Sequence, residues 1–157
     1  MAFKVFDIHP HVISTDEAKY PRDPLGGTQS VWSKERPVSA EQMVQAMDEA
    51  GVDKSAVVHA STCYGYDASY LADSLVKFPK RFTGVCSVDV LSGTGPERIR
   101  HWHSRGMRGL RIFTVGSPMT TQSTWLDDPR SYSSWETVQE LDWPMCLQVR
   151  VPGLAMA

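Results

Sequence analysis

Residues 39–60 read SAEQMVQAMDEAGVDKSAVVHA, and a change of period inside this stretch decides the fold. In its first half apolar residues recur every three to four positions, so Met43, Val44, Met47 and Ala50 share one helical face. Ser39 followed by Gln42 forms a capping box, and Gly51 stops the pattern at a residue suited to a helix C-terminus. Shortly afterwards Ser55–Ala60 is a brief, β-branched, apolar run, as expected of a strand covered on both faces. A helix over 39–50 and a strand over 55–60 make one unit of an alternating α/β chain.

The alternation continues in both directions. Further strands are expected at Lys4–His9, Phe82–Val88, Met107–Phe113 and Pro144–Val149, and further helices at Ala68–Phe78, Pro96–Arg105 and Ser133–Leu141. Asp67 is positioned to cap the helix that buries Tyr70, Leu71, Leu75 and Phe78. Pro96 opens the next helix, Gly106 follows its end, and Ser133 with Glu136 forms a second capping box. Such an order implies a parallel sheet with right-handed crossovers. No GxGxxG or GxxxxGK[ST] follows a strand, so the usual nucleotide signatures are absent. The choice is then between an open doubly wound sheet and a (β/α)₈ barrel. A complete barrel takes eight strands and about 250 residues. This chain has 157 residues and about five strand signals, so any barrel it forms is incomplete.

Composition sets the remaining bounds. A chain of 157 residues fits one domain, 1–157. With 41% hydrophobic residues and a net charge of −2, it is neither disordered nor a general nucleic-acid binder. Cys63, Cys86 and Cys146 are far apart and odd in number, which suits core positions in a reducing compartment. With no signal-peptide pattern at the start and no apolar run of about 18 residues, the expected location is cytoplasmic.

The chemistry is expected where strands end. In VFDIHPHV (5–12), strand alternation puts Val5, Asp7, His9 and His11 on one face and turns Phe6 and Ile8 toward helices. Paired imidazoles there either grip one metal ion or serve as hydrogen-bonded structural residues. His101 and His103 repeat the spacing inside a helical pattern, where the two rings diverge by about 200° and a surface position is expected. Arg111 faces the sheet interior with Gly109 and Phe113, and Arg150 does so with Cys146 and Gln148. A guanidinium so placed needs an acidic partner, Asp7 or Asp89, or an anionic ligand. His59, Ser61 and Tyr64 follow the second strand, and Ser87 and Asp89 end the third. The long segments 14–37 and 114–132 leave the carboxyl ends of strands, where a lid or pocket wall is expected.

In order, DIHPHV, SAEQMVQAMDEAGVDKSAVVHAS, YGYDASYLADSLVKFPKRFTGVCSVD, GMRGLRIF and WPMCLQVRVPGL resemble the amidohydrolase-related, metal-dependent hydrolases. That family includes 2-pyrone-4,6-dicarboxylate lactonases and several aromatic-acid decarboxylases, and the resemblance runs through most of the chain. It implies an α/β parallel barrel of TIM type, here incomplete, with about five strands and four helices of eight each. It assigns His9 and His11 to the family's catalytic H-x-H pair after strand one. Many members bind a divalent metal there, with a histidine after strand five and an aspartate after strand eight. The strand-five position is Arg150 in this chain, and the aspartate has no counterpart. The lactonase-like branch is described as working without a metal and using arginines for carboxylates, which implies substrate-binding roles for Arg111 and Arg150, with Tyr64 beside them. The resemblance thus implies a hydrolase of a small carboxylated lactone or ester. One divalent ion, zinc or manganese, held by His9 and His11 and a metal-free site are equally open. Without the aspartate that would activate water, an inactive chain is expected. The alternatives are a metal-dependent aromatic-acid decarboxylase and a non-catalytic fragment whose open sheet edge pairs with another chain. The expected partner is a small anionic molecule, with neither nucleic acid nor membrane, and with self-association open.

Overall fold

The computed structural model describes residues 4–113 and 127–148. Its sheet has five parallel strands: β1 Phe6–Asp7, β2 Lys54–Val58, β3 Phe82–Cys86, β4 Met107–Phe113 and β5 Met145–Gln148. Spatial order follows chain order, β1-β2-β3-β4-β5. A doubly wound sheet reverses direction at a switch point, whereas a barrel adds every strand on the same side. The observed order is that of an incomplete barrel.

Among the described residues six α-helices accompany the strands: α1 Val31–Glu35, α2 Ala40–Ala50, α3 Ser61–Tyr64, α4 Ser69–Lys77, α5 Gly95–Ser104 and α6 Tyr132–Glu140. The unit at 39–60 forms as its pattern predicts. Ser39 and Gln42 make both bonds of the capping box, and Gly51 closes α2 at φ 69° with its N–H on the Met47 and Asp48 carbonyls. Ala50 is exposed, so the buried stripe is narrower than expected. Ala68 rather than Asp67 is the N-cap of α4, and Asp67, one residue earlier, accepts the Ser69 N–H at 3.0 Å. The second capping box does not form, because the chain turns earlier. The Asp128 side chain accepts the Arg130 N–H and starts a 3₁₀ turn at Pro129–Ser131 that runs directly into α6. The two short helices α1 and α3, of 5 and 4 residues, are too brief to carry a periodic signal in the sequence.

The core lies between the middle strands and the helices. Val57, Cys86, Ile99, Met107 and Leu110 are fully buried in one cluster. Gly84 marks a close approach within this cluster, where a Cβ would meet Met107 Sδ at 2.5 Å and Leu75 Cδ1 at 2.7 Å. The β1 edge is the reverse. Phe6 and Ile8 are 55% and 76% exposed rather than packed against helices, because no described element covers that edge. Met145 and Leu147 on β5, the opposite edge, are also exposed. No helix among the described residues is long and apolar enough to cross a membrane.

Candidate active site

The first strand is only two residues long, yet the chain stays beside β2 well past its end. Pro10 has no N–H to extend a ladder, but its carbonyl accepts the Val58 N–H at 2.9 Å. The Val58 carbonyl in turn lies 2.7 Å from His11 Nδ1. A carbonyl only accepts, so Nδ1 carries the proton and the lone pair of neutral His11 sits on Nε2. His9 stands edge-on to His11, with ring centroids 5.2 Å apart. The expected pairing of the two imidazoles is therefore present, although the backbone that produces it is an extension beyond the strand.

The remaining contacts explain the electrostatics. Burial lowers the pKa of His9 and of His11, and the charge of Arg111 lowers both further. Near neutral pH both rings are held toward the uncharged form. Asp7 accepts the His9 backbone N–H at 3.1 Å. On β4, Arg111 donates from Nη2 to Gln148 Oε1 at 2.5 Å and lies 4.8 Å over the Phe113 ring. Its Nε is buried and has no hydrogen-bond partner. Among the described residues no carboxylate pairs with it, so neither Asp7 nor Asp89 is its counterion. Arg150 lies outside the described residues.

Tyr64 is buried, and its hydroxyl accepts the Ser14 N–H at 2.8 Å and Arg22 Nη1 at 2.6 Å. Burial pushes its pKa up to about 12. It thereby pins the segment that leaves β1. Behind the pair, His59 is wholly buried, donates from Nε2 to the Gly65 carbonyl at 3.0 Å, and has its pKa pushed down to about 4 by burial. Ser61 and Ser87 join the ends of β2 and β3 through a 3.1 Å hydroxyl bond. Burial raises the thiol pKa of Cys63 and takes that of Cys86 up to about 12, consistent with unreactive core positions.

Segment 14–37 is a wall built onto the mouth. Leu25 N–H bonds the Ser61 carbonyl at 2.9 Å, Asp23 N–H bonds the Cys63 carbonyl at 3.0 Å, and Ser30 Oγ meets Thr62 Oγ1 at 2.9 Å. All three bonds fasten it to α3. This arrangement carries α1 over the histidines, where Trp32 stacks on His11 with centroids 5.3 Å apart and planes 26° apart. Sequence reading did not single out Trp32. The available signal was one large aromatic in the otherwise polar run TQSVWSKER. A separate cavity of about 460 Å³ is lined by Asp23, Tyr66, Asp67, Asp89, Arg98 and His101 among others, and includes neither His9 nor His11.

The helical histidines part as expected, but His103 is not simply a surface residue. It is half-buried and accepts the Trp143 indole N–H at 3.2 Å, while His101 is exposed.

Two imidazoles are an incomplete metal centre. Among the described residues no group of three or more His, Cys, Asp or Glu side chains is placed to hold an ion. The nearby guanidinium also opposes a second positive charge.

Comparisons with known proteins agree with the strand order. A probable 2-pyrone-4,6-dicarboxylic acid hydrolase from Acinetobacter baumannii, solved with citric acid bound, is 17% identical over 92% of this chain and 49% of its own, with TM-score 0.67. A zinc-bound amidohydrolase from Burkholderia multivorans is 18% identical over 98% of this chain and 52% of its own, with TM-score 0.70. A dihydroxybenzoic acid decarboxylase from Polaromonas sp. JS666, solved with manganese and 2-nitroresorcinol, is 20% identical over 94% of this chain and 49% of its own, with TM-score 0.62. The chain spans about half the length of these solved relatives. No curated protein matches it. The family model for amidohydrolases matches residues 6–155, nearly the whole chain, and the chain belongs to the amidohydrolase family.

Proposed function

We propose that this site serves hydrolysis of a small carboxylated lactone or ester. The observation that carries the reading is Arg111, a half-buried cation whose buried Nε–H is unpartnered, beside two imidazoles held toward neutrality. Leaving such a donor unmet costs about 1–3 kcal/mol, which a substrate carboxylate offsets by charge-assisted hydrogen bonding.

The roles follow from which atoms are free. Arg111 holds the carboxylate and orients the ring or chain bearing the scissile bond. His11, with Nδ1–H committed to Val58, offers only the Nε2 lone pair and acts as the proton acceptor. Water attacks the acyl carbon as its proton passes to Nε2, the acyl–oxygen bond breaks, and the departing oxygen takes that proton back. No ring nitrogen of His9 is tied up in a described hydrogen bond, so His9 can donate to the carbonyl oxygen as charge develops there. A site complementary to a carboxylate agrees with the citric acid bound by the Acinetobacter relative.

The test is proton release from matched 2-pyrones with and without a ring carboxylate, followed by loss of substrate absorbance. The account expects turnover confined to the carboxylated member and abolished by His11→Ala. Equal rates on both would remove Arg111 from the reading. Release of carbon dioxide in place of a ring-opened acid would move the chain to the decarboxylase alternative.

A further inference from the structure

We infer that Trp32 is a positioning residue that keeps His11 in the tautomer and plane its chemistry needs. The consequence for turnover rests on the hydrolase reading above, but the structural argument and its test do not. The bond from His11 Nδ1 to the Val58 carbonyl fixes one atom of the ring and leaves it able to pivot about that contact. His9 meets it only edge-on, at 84°. The indole of Trp32 is the one described aromatic group lying nearly flat on the imidazole, at 26°. It therefore supplies the restraint that the hydrogen bond lacks, and it shields that bond from water on one face.

The helix carrying Trp32 is built to hold it there. Ser30 anchors the start of α1 through hydroxyl bonds to both Thr62 Oγ1 and Ser33 Oγ at 2.9 Å, and Ser33 is almost fully buried. Trp32 itself is 37% exposed, so its indole is held over the ring by this frame rather than by enclosure in the core. A half-exposed tryptophan is an expensive way to fill space, and one lying flat on the only imidazole bonded to Val58 has a more specific use. The segment expected to be a lid or pocket wall thus acts as a fixed support for the base.

Long-range ¹H–¹⁵N NMR of the histidine rings reads this directly. In the wild-type chain His11 gives the pattern of a single Nδ1–H tautomer, and His59 gives Nε2–H. In Trp32→Ala the His11 pattern collapses to that of an interchanging ring while His59 is unchanged, and Trp32→Phe retains the single tautomer. Should the alanine variant also disturb His59, Trp32→Leu keeps apolar bulk without a flat π face and is expected to lose the His11 pattern alone. A single Nδ1–H tautomer persisting in the alanine or leucine variant overturns the inference. No substrate is present, so failure of the hydrolysis assay leaves this result standing, and a positive result here does not rescue the hydrolase reading.

Discussion

The chain contains the H-x-H pattern twice, and the two copies have opposite fates. His9 and His11 lie beyond a strand, where every second side chain returns to one face, and their rings sit 5.2 Å apart. His101 and His103 lie on α5, where the same spacing sends one ring to solvent beside Trp102 and the other into a bond with Trp143. The first pair lies near Arg111, which has no carboxylate partner among the described residues. The second caps the packing of α5 against the chain entering β5. Identical letters therefore give a candidate site in one place and a structural fastening in the other, and the backbone period decides which.

The comparison breaks first at Trp143. It is buried in the main cluster, so Trp143→Ala is expected to cost about 3–5 kcal/mol in urea unfolding. A loss below about 1 kcal/mol would mean that the helical pair fastens nothing.

Acid sharpens the contrast next. The pKa of His59 is about 4 when folded against an ordinary 6.5. The unfolded chain therefore binds the proton first, and stability falls as pH drops from 6.5 toward 4, by roughly 3 kcal/mol in total. His9 and His11, also lowered, push in the same direction. Above about pH 6.5 the contribution is complete and the curve is flat for these groups. Unfolding curves across this range should steepen in that window, and His59→Asn should flatten it.

Matched alanine substitutions give the smallest effects. His103→Ala leaves the Trp143 N–H without its acceptor and should cost about 1–2 kcal/mol. His9→Ala, at an exposed ring with no described hydrogen bond, should stay within about 0.5 kcal/mol of wild type. Reversal of that order would make the strand pair the structural one.

Much of this organisation was legible in the sequence because local rules and tertiary structure agree. The capping box at Ser39 and the stop at Gly51 need only neighbours in the chain, and β4 matches its pattern residue for residue. The double capping signal at Ser133 failed because Asp128 and Pro129 begin the turn sooner, a competition the motif alone does not reveal. Phe6 and Ile8 follow the strand period, but what covers a strand is set by distant chain. In the site, alternation was enough to bring His9 and His11 together. It could not reveal that Arg111 pairs with Gln148 rather than an aspartate, that Tyr64 spends its hydroxyl on Ser14 and Arg22, or that Trp32 covers His11. Those depend on where the connecting segments fold back.

The central claim, that Arg111 waits for a carboxylate beside the strand pair, is tested most directly by titrating benzene-1,3-dicarboxylate into the chain and Arg111→Leu while following histidine and arginine side-chain NMR signals. The account predicts saturable shifts at His9, His11 and Arg111 in the wild type. It predicts their loss in the leucine variant, together with a gain of about 1 kcal/mol in stability as a half-buried cation with an unmet Nε–H is replaced by an apolar side chain. Unchanged affinity in Arg111→Leu, or shifts centred on His101 in place of His9 and His11, would contradict it.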